Sequence, residues 1–452
     1  METGKQARMR EYEMTLERNN FQFLEIFAII QPRRYTTMLL LTLECKNFFL
    51  FDNLSIDFTY PRKLNYDITK NDAIFEGSKI KVRKHIIIMG ANAAGKTTLG
   101  RLLCLIYNYL IGRDGGSAED LCRSINHPDR PASFTVEFSI RKTAYRLTAV
   151  FDKKGLAEET LVQASVSSDD NMTALRLKLD AASPLYYRRD DHPANLLPGF
   201  RSYLINIPEN EQQKLCFQKN ILFWFALSAF RHEAIDRTGL PHIDISLISK
   251  ILPILDNSVE KIIPLVPETP QDTTPEISAV GDTVIGYNPK PKSYTIRFKN
   301  GQEQTVPDGD LSQIQSERLS QGTAEAVSFS TILSYLKNAD HNTVFVDECL
   351  THMHSELEKY LIWLSFLIKK EDSQLFFTTH NTEICDLRLP THSFLFLKRE
   401  KNGFNTALWA NSRLIKNDRN FRNYYENDYF DVLPDYSDLI SLLDSDGGNR
   451  DE

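Results

Sequence analysis

A β-branched run, His85–Met89, meets a glycine-rich octet, Gly90-Ala-Asn-Ala-Ala-Gly95-Lys96-Thr97, and an apolar helical pattern follows from Thr97 to Leu110. The octet fits G-x-x-x-x-G-K-[ST] in every fixed position, and it lies between a strand and a helix, where that spacing has physical meaning. Glycines let backbone N–H groups curl around a phosphate, and the helix N-terminus adds its dipole. Candidate ligand contacts are Gly90, Asn92, Gly95, Lys96, Thr97 and Thr98. Lys96 would reach the β- and γ-phosphates. The Thr97 hydroxyl would ligate Mg²⁺, an ion that keeps waters and takes few protein ligands. A chance glycine turn is the bland alternative, and the strand–loop–helix context opposes it. A nucleoside triphosphate with Mg²⁺ is the expected ligand.

The rest of the chain is compatible with a globular nucleotide-binding protein. At 452 residues, two to three structural units are expected. With 42% hydrophobic and 25% charged residues it can bury a sizeable core, so collagen-like and disordered readings do not fit. The formal charge of −7 argues against broad non-specific nucleic-acid affinity but leaves room for a local basic groove. No apolar run approaches the ~20 residues of a membrane span. The charged first 20 residues do not resemble a signal peptide. Six scattered cysteines, with no Cys-x-x-Cys pair, indicate neither a disulfide framework nor a zinc site. A soluble cytoplasmic protein with no membrane contact is expected.

Pattern changes divide the chain into five parts. Residues 1–37 read as a helical extension, charged up to Asn20, then apolar, and stopped by Pro32. Residues 38–196 hold strand candidates Leu39–Leu43, Leu54–Phe58 and His85–Met89. They also hold an alternating hairpin, Phe134–Ile140 and Tyr145–Phe151, turning at Arg141–Thr143. Residues 197–312 read as an inserted, mostly helical lobe. It has an apolar helical block at Leu215–Phe230 and a second helical pattern at Ile243–Ile262 that Pro253 should kink or break. Six of the chain's 19 prolines fall between Pro264 and Pro291, and a strand is expected at Tyr294–Phe298. In residues 313–440, strands Thr343–Val346, Leu375–Thr378 and Phe394–Lys398 alternate with helices Ala324–Leu336 and Ser355–Lys369. Residues 441–452 form an acidic tail. Short apolar strands alternating with helices imply an α/β fold with a mostly parallel sheet.

Three further segments carry candidate chemistry. Val344-Phe345-Val346-Asp347-Glu348 is an apolar strand ending in adjacent acids: Asp347 as a Mg²⁺ ligand, and Glu348 to polarise the attacking water. The next strand ends Thr378-Thr379-His380, and a histidine at the C-terminal end of a parallel strand faces the ligand crevice. There it could bond the γ-phosphate or the water. Arg318-Leu319-Ser320-Gln321-Gly322-Thr323 opens a helix, so Ser320 and Gly322 form either a second anion site or a simple N-cap. Lys79–Lys84 and Tyr186-Tyr187-Arg188-Arg189 are local basic segments, read first as solvated surface.

Taken in order, these elements resemble the ATP-binding-cassette head shared with SMC proteins and related DNA-repair ATPases. Gly90–Thr97 matches its Walker A motif, Leu319–Gly322 the LSxGQ-type signature, Val344–Glu348 Walker B, and His380 the switch histidine. Thr323 replaces the usual glutamine after the signature glycine, and Leu350 stands where an acid often sits. The resemblance implies a head with a mostly parallel mixed sheet, an antiparallel β subdomain and an inserted helical lobe. It also implies composite sites, with Ser320 and Gly322 of one protomer closing over the ATP of another, and hence a homo-oligomer assembled head to head.

Most of residues 38–439 is also similar to stand-alone bacterial ATPases of abortive-infection and restriction-associated operons. Their relatives include the PARIS, Septu and overcoming-lysogenization-defect systems. The segments "GANAAGKTTL", "VDECLTHMHSEL", "QLFFTTHNTEICD" and "KNDRNFRNYYENDYFDVLP" carry this similarity. His354 matches the histidine of that family's Leu-His-Pro turn, with Ser355 in place of the proline. The similarity implies an ATP hydrolase of slow turnover in antiviral, toxin–antitoxin-like defence. It would control a separate effector nuclease of Toprim or HNH type, since no nuclease cluster is visible in the chain, and a phage protein stands open as the trigger. The alternative is a repair ATPase of the RecF or SMC type that clamps DNA.

Overall fold

The computed structural model describes residues 38–61, 66–111, 118–189, 223–227, 244–265, 279–280, 283–284, 293–307, 319–338, 343–414 and 421–433. The expected N-terminal helix of residues 1–37 and the acidic tail lie outside these residues. Among the described residues no helix is long and apolar enough to cross a membrane.

The chain opens with β1 (Met38–Phe48), β2 (Phe51–Asp57) and the short β3 (Thr59–Tyr60) and β4 (Lys81–Val82). Then β5 (His85–Met89) leads through the glycine loop into α1 (Lys96–Ile111), with α2 (Ala118–Arg123) after it. Next come β6 (Ala132–Ile140), β7 (Thr143–Asp152), β8 (Gly155–Ser165), α3 (Met172–Ala181) and β9 (Tyr186–Arg189). The middle holds β10 (Phe223–Leu227), α4 (Ile245–Leu255), β11 (Val259–Leu265), β12 (Ala279–Val280), β13 (Thr283–Val284), β14 (Ser293–Phe298) and β15 (Glu303–Val306). Further on are α5 (Gln321–Asn338), β16 (Thr343–Asp347), α6 (Ser355–Ile368), β17 (Gln374–Thr378), β18 (Phe394–Arg399) and β19 (Asn405–Trp409).

Two sheets form the head. The central sheet has the order β10-β16-β17-β5-β18-β19, parallel except for the antiparallel edge strand β19. β5 is buried at every residue, as expected of a strand covered on both faces. α1 buries Leu99, Leu102, Leu103, Ile106 and Leu110, an apolar stripe at helical spacing. The second sheet, β2-β1-β6-β7-β8-β9, is antiparallel throughout. Its hairpin turns between Ile140 and Thr143, with Arg141 in the left-handed region at φ 56°.

One side chain joins the sheets. The β1–β6 ladder is irregular between Leu40 and Thr42. There the fully buried Gln374 of β17 accepts from Leu40 N at 2.6 Å and donates to Leu40 O and Arg83 O, both at 3.1 Å. A buried amide thereby satisfies backbone groups at the irregularity.

The middle of the chain departs from its helical expectation. Phe223–Leu227, inside the apolar block read as helix, is an edge strand pairing in parallel with β16. Seven apolar residues in a row, Ile221–Leu227, fit a buried strand as well as a buried helix, and periodicity cannot separate them. The pattern at Ile243–Ile262 splits: α4 contains Pro253 and ends at Leu255, and Val259 onward is strand. Among its described residues the 197–312 segment is therefore rich in strand. α4, β11, β14 and β15 pack on α5 through Ile248, Leu252, Ile296, Val306, Ala326 and Val327.

The basic run Lys79–Lys84 is a solvated face only in part: Lys79 is exposed and Lys81 half-buried. Arg83 and Lys84 are buried. Arg83 donates to the carbonyls of His392, Asp57 and Thr59 and lies 4.1 Å from the Trp409 ring centroid. Burial lowers its pKa to about 10. Lys84 donates to the carbonyls of Asn71 and Ala73. Tyr186–Arg189 is edge strand β9, with Tyr187 and Arg189 exposed.

Candidate active site

Three parallel strands deliver the site residues to one end of the central sheet. β5 ends at Met89 before the glycine loop, β16 ends in Asp347, and β17 ends at Thr378, paired in register with Asp347. The loop needs both glycines. A Cβ on Gly90 (φ 152°) would lie 2.2 Å from Leu397 O, and one on Gly95 (φ 94°) 2.5 Å from Asn405 Nδ2. Leu397 and Asn405 belong to the neighbouring β18–β19 hairpin, so this wall holds the loop tight. Asn92 is exposed at the loop's crown, and Thr98 is half-buried in the first turn of α1.

Lys96 is buried, and its ammonium donates to Gly90 O at 3.1 Å and Ala91 O at 3.4 Å. It lies 2.9 Å from His380 Nε2 and 3.6 Å from Glu348 Oε1. Burial lowers its pKa, and the Glu348 and Asp347 carboxylates oppose that shift. His380 Nε2 is also 2.9 Å from Glu348 Oε1. An ammonium only donates and a carboxylate only accepts, so one ring nitrogen cannot satisfy both at once. With Nε2 bare it accepts from Lys96; with Nε2 protonated it donates to Glu348. His380 thus has two exclusive settings.

Thr97 Oγ1 donates to Asp347 Oδ2 at 2.7 Å, and Thr378 Oγ1 donates to Asp347 Oδ1, also at 2.7 Å. A hydroxyl beside a single carboxylate is a hard-oxygen pair suited to Mg²⁺ with its waters. Glu348 sits at φ 47°, a conformation costing a non-glycine residue about 1–3 kcal/mol. Its N–H donates to Thr378 Oγ1 at 3.0 Å, which helps hold that turn.

The structure thus brings Gly90–Thr97, Asp347, Glu348 and His380 together. Ser320 and Gly322 form a separate cluster at the start of α5. Ser320 Oγ accepts from Thr323 N at 3.1 Å, the geometry of an N-cap. A Cβ on Gly322 would lie 3.9 Å from His352 O, which places the signature against the loop after β16.

The family model described as AAA domain, AbiEii-toxin type, Type IV TA system matches residues 86–386. The chain belongs to this AAA family. No curated protein matches the chain by sequence. Similar solved structures include the SMC head domain from Thermotoga maritima, at 13% identity over 82% of this chain and 98% of that chain, TM-score 0.35. Another is the Smc head domain bound to the C-terminal domain of ScpA, derived from Pyrococcus furiosus, at 13% identity over 82% and 96%, TM-score 0.41. A third is the recombination mediator protein RecF with ATPrS, at 13% identity over 82% and 99%, TM-score 0.35.

In this AAA-type ATPase, several supporting residues gave no signal in the sequence. Thr378 serves both acids of β16, yet read only as a strand end. Glu358 of α6 accepts from Thr379 Oγ1 and from Asn381 Nδ2 at 3.0 Å, bracketing His380. Burial raises the Glu358 pKa against those hydrogen bonds. Glu325 of α5 is fully buried and accepts from His352 N at 2.9 Å and from the His352 ring at 2.6 Å. It ties the signature helix to the loop that follows Glu348. His354 caps α6, accepting from Glu356 N at 3.3 Å.

Proposed function

We propose that the chain is an ATP hydrolase of slow turnover acting as sensor and scaffold of an antiphage, abortive-infection system. It assembles head to head and controls a separate toxic effector, a nuclease of Toprim or HNH type. The observation that carries the catalytic part is the Lys96–His380–Glu348 contact beside the Thr97–Asp347 pair. Membership of an AbiEii-type toxin–antitoxin family supports the defence part.

In this reading, Gly90–Gly95 wrap the β-phosphate with backbone N–H groups. Lys96 exchanges its Glu348 and His380 contacts for the β- and γ-phosphates. Thr97 and Asp347 would hold Mg²⁺, which would offset phosphate charge. Glu348, relieved of Lys96, orients the attacking water. His380, no longer facing an ammonium, takes its protonated-Nε2 setting and donates towards the γ-phosphate. Ser320 and Gly322 of a second protomer close the site. Positioning and electrostatics suffice for such a reaction, and no covalent intermediate is required. The inserted lobe of residues 197–312, whose described elements α4, β11, β14 and β15 pack on α5, is the candidate surface for the effector, the trigger or another protomer.

The test of the defence role is a pull-down of the tagged chain, co-expressed with its neighbouring genes, with and without ATP. Co-purification of a nuclease that ATP turnover releases is the expected result. A chain that comes down alone and binds duplex DNA only with ATP would contradict it and favour a DNA-clamping role. The burial of Arg83 and Lys84 takes away two of the four cations in a basic segment that such a role would use.

A further inference from the structure

The signature serine is held by a relay that starts in the lobe. Ser320 Oγ lies 2.7 Å from Thr323 Oγ1, and Thr323 Oγ1 in turn meets Asp256 Oδ2. The other Asp256 oxygen accepts from Ser258 N at 2.9 Å and Ser258 Oγ at 2.6 Å. Burial pushes the Asp256 carboxyl up, but the Ser258 and Thr323 hydrogen bonds outweigh it and hold the pKa below the usual value. At neutral pH Asp256 is therefore an ionised, acceptor-only group.

That fixes the direction of every proton. Thr323 has one hydroxyl hydrogen and gives it to Asp256, so the Ser320–Thr323 contact requires Ser320 to donate. The Ser320 oxygen meanwhile accepts from Thr323 N. Both capacities of the exposed serine are thus engaged within its own protomer.

Asp256 is also structurally well placed. It ends α4, which runs antiparallel to α5 and is fastened to it at both ends. At the far end, Asp244 accepts from Lys337 at 2.8 Å, and Asp244 N donates to Ser334 Oγ. Movement of α4 would therefore be felt at Ser320.

We propose that Asp256 is a positioning residue that directs the Ser320 hydroxyl inward, so that the lobe restrains closure of the composite ATP site. The proposal rests on the reading of Ser320 as a contact to the nucleotide of a second protomer. It also accounts for the threonine found where a glutamine was expected: a short side-chain hydroxyl at this position links the capping Ser320 to Asp256.

The test uses the full chain carrying Glu348→Gln and reads, by sedimentation, the ATP concentration giving half-maximal self-association. Asp256→Asn keeps an oxygen for Ser258 and puts an N–H donor against Thr323. The relay then reverses: Thr323 donates to Ser320, whose own hydrogen is released. Thr323→Val removes the relay but keeps the Asp256 charge. Each variant should assemble at roughly three- to tenfold lower ATP, the worth of about one hydrogen bond. Adding Ser320→Ala should abolish that gain. A merely supporting Asp256 would lower the melting temperature and leave assembly unchanged or weaker, which would overturn the proposal. If Ser320→Ala alone leaves assembly unchanged, the composite-site reading itself fails.

Discussion

At the residue scale, the site is a closed electrostatic circuit. Lys96 neutralises Glu348, and His380 sits between them with a single nitrogen for two incompatible partners. Lys96→Ala should weaken ATP binding by roughly a hundredfold or more in titration calorimetry, given the strength of hydrogen bonds to charged groups. Gly90→Ala tests the wall behind the loop. Its Cβ would enter the Leu397 carbonyl, so a destabilisation of about 1–3 kcal/mol is expected in chemical denaturation. Away from the site, burial and the nearby Arg83 lower the His392 pKa to about 3. Burial, with the Lys369 and Lys84 charges, likewise holds His85 well below its usual value. Both imidazoles are neutral when folded and titrate near 6.5 when unfolded. The unfolded chain therefore takes up protons first, and stability is lost as pH falls from about 6.5 towards 3. His392 alone should account for about 2 kcal/mol lost by pH 5, readable from urea midpoints across pH.

At the element scale, function depends on strand order. β16, β17 and β5 are neighbours, which is why Asp347, His380 and the glycine loop meet although about 250 residues separate the first from the last. Gln374→Leu should keep the shape of β17 but strand the Leu40 N–H and carbonyl. A loss of about 1–3 kcal/mol is expected, measured by urea unfolding, with a melting curve that stays cooperative. Much of this layer was legible in advance. His85–Met89 and Phe394–Lys398 announce themselves as short, largely apolar runs, and Gly90–Thr97 by fixed spacing. What escaped notice depends on distant partners. Phe223–Leu227 is an edge strand only because β16 lies beside it. Arg83 and Lys84 are buried only because carbonyls from Asp57, Asn71 and His392 converge on them. Thr378, Glu325 and Asp256 are ordinary polar residues in sequence, and their significance lies in hydrogen bonds to residues 27 to 67 positions away. His354 and Ser320, which motif comparison singled out, turn out to cap α6 and α5.

At the scale of the whole molecule, the two halves of the proposed catalytic apparatus do not meet within one chain's described contacts. The glycine loop, Asp347, Glu348 and His380 form one cluster. Ser320 and Gly322 form another, joined to the first through Glu325 and the His352 loop. That division is what a composite site between protomers would require, and it makes the oligomeric state the decisive observable. Sedimentation velocity of Glu348→Gln, with and without Mg²⁺ and ATP, tests this most directly. The variant should shift to a dimer or larger assembly only with ATP and should lose turnover. An unchanged sedimentation coefficient together with undiminished hydrolysis would contradict the account.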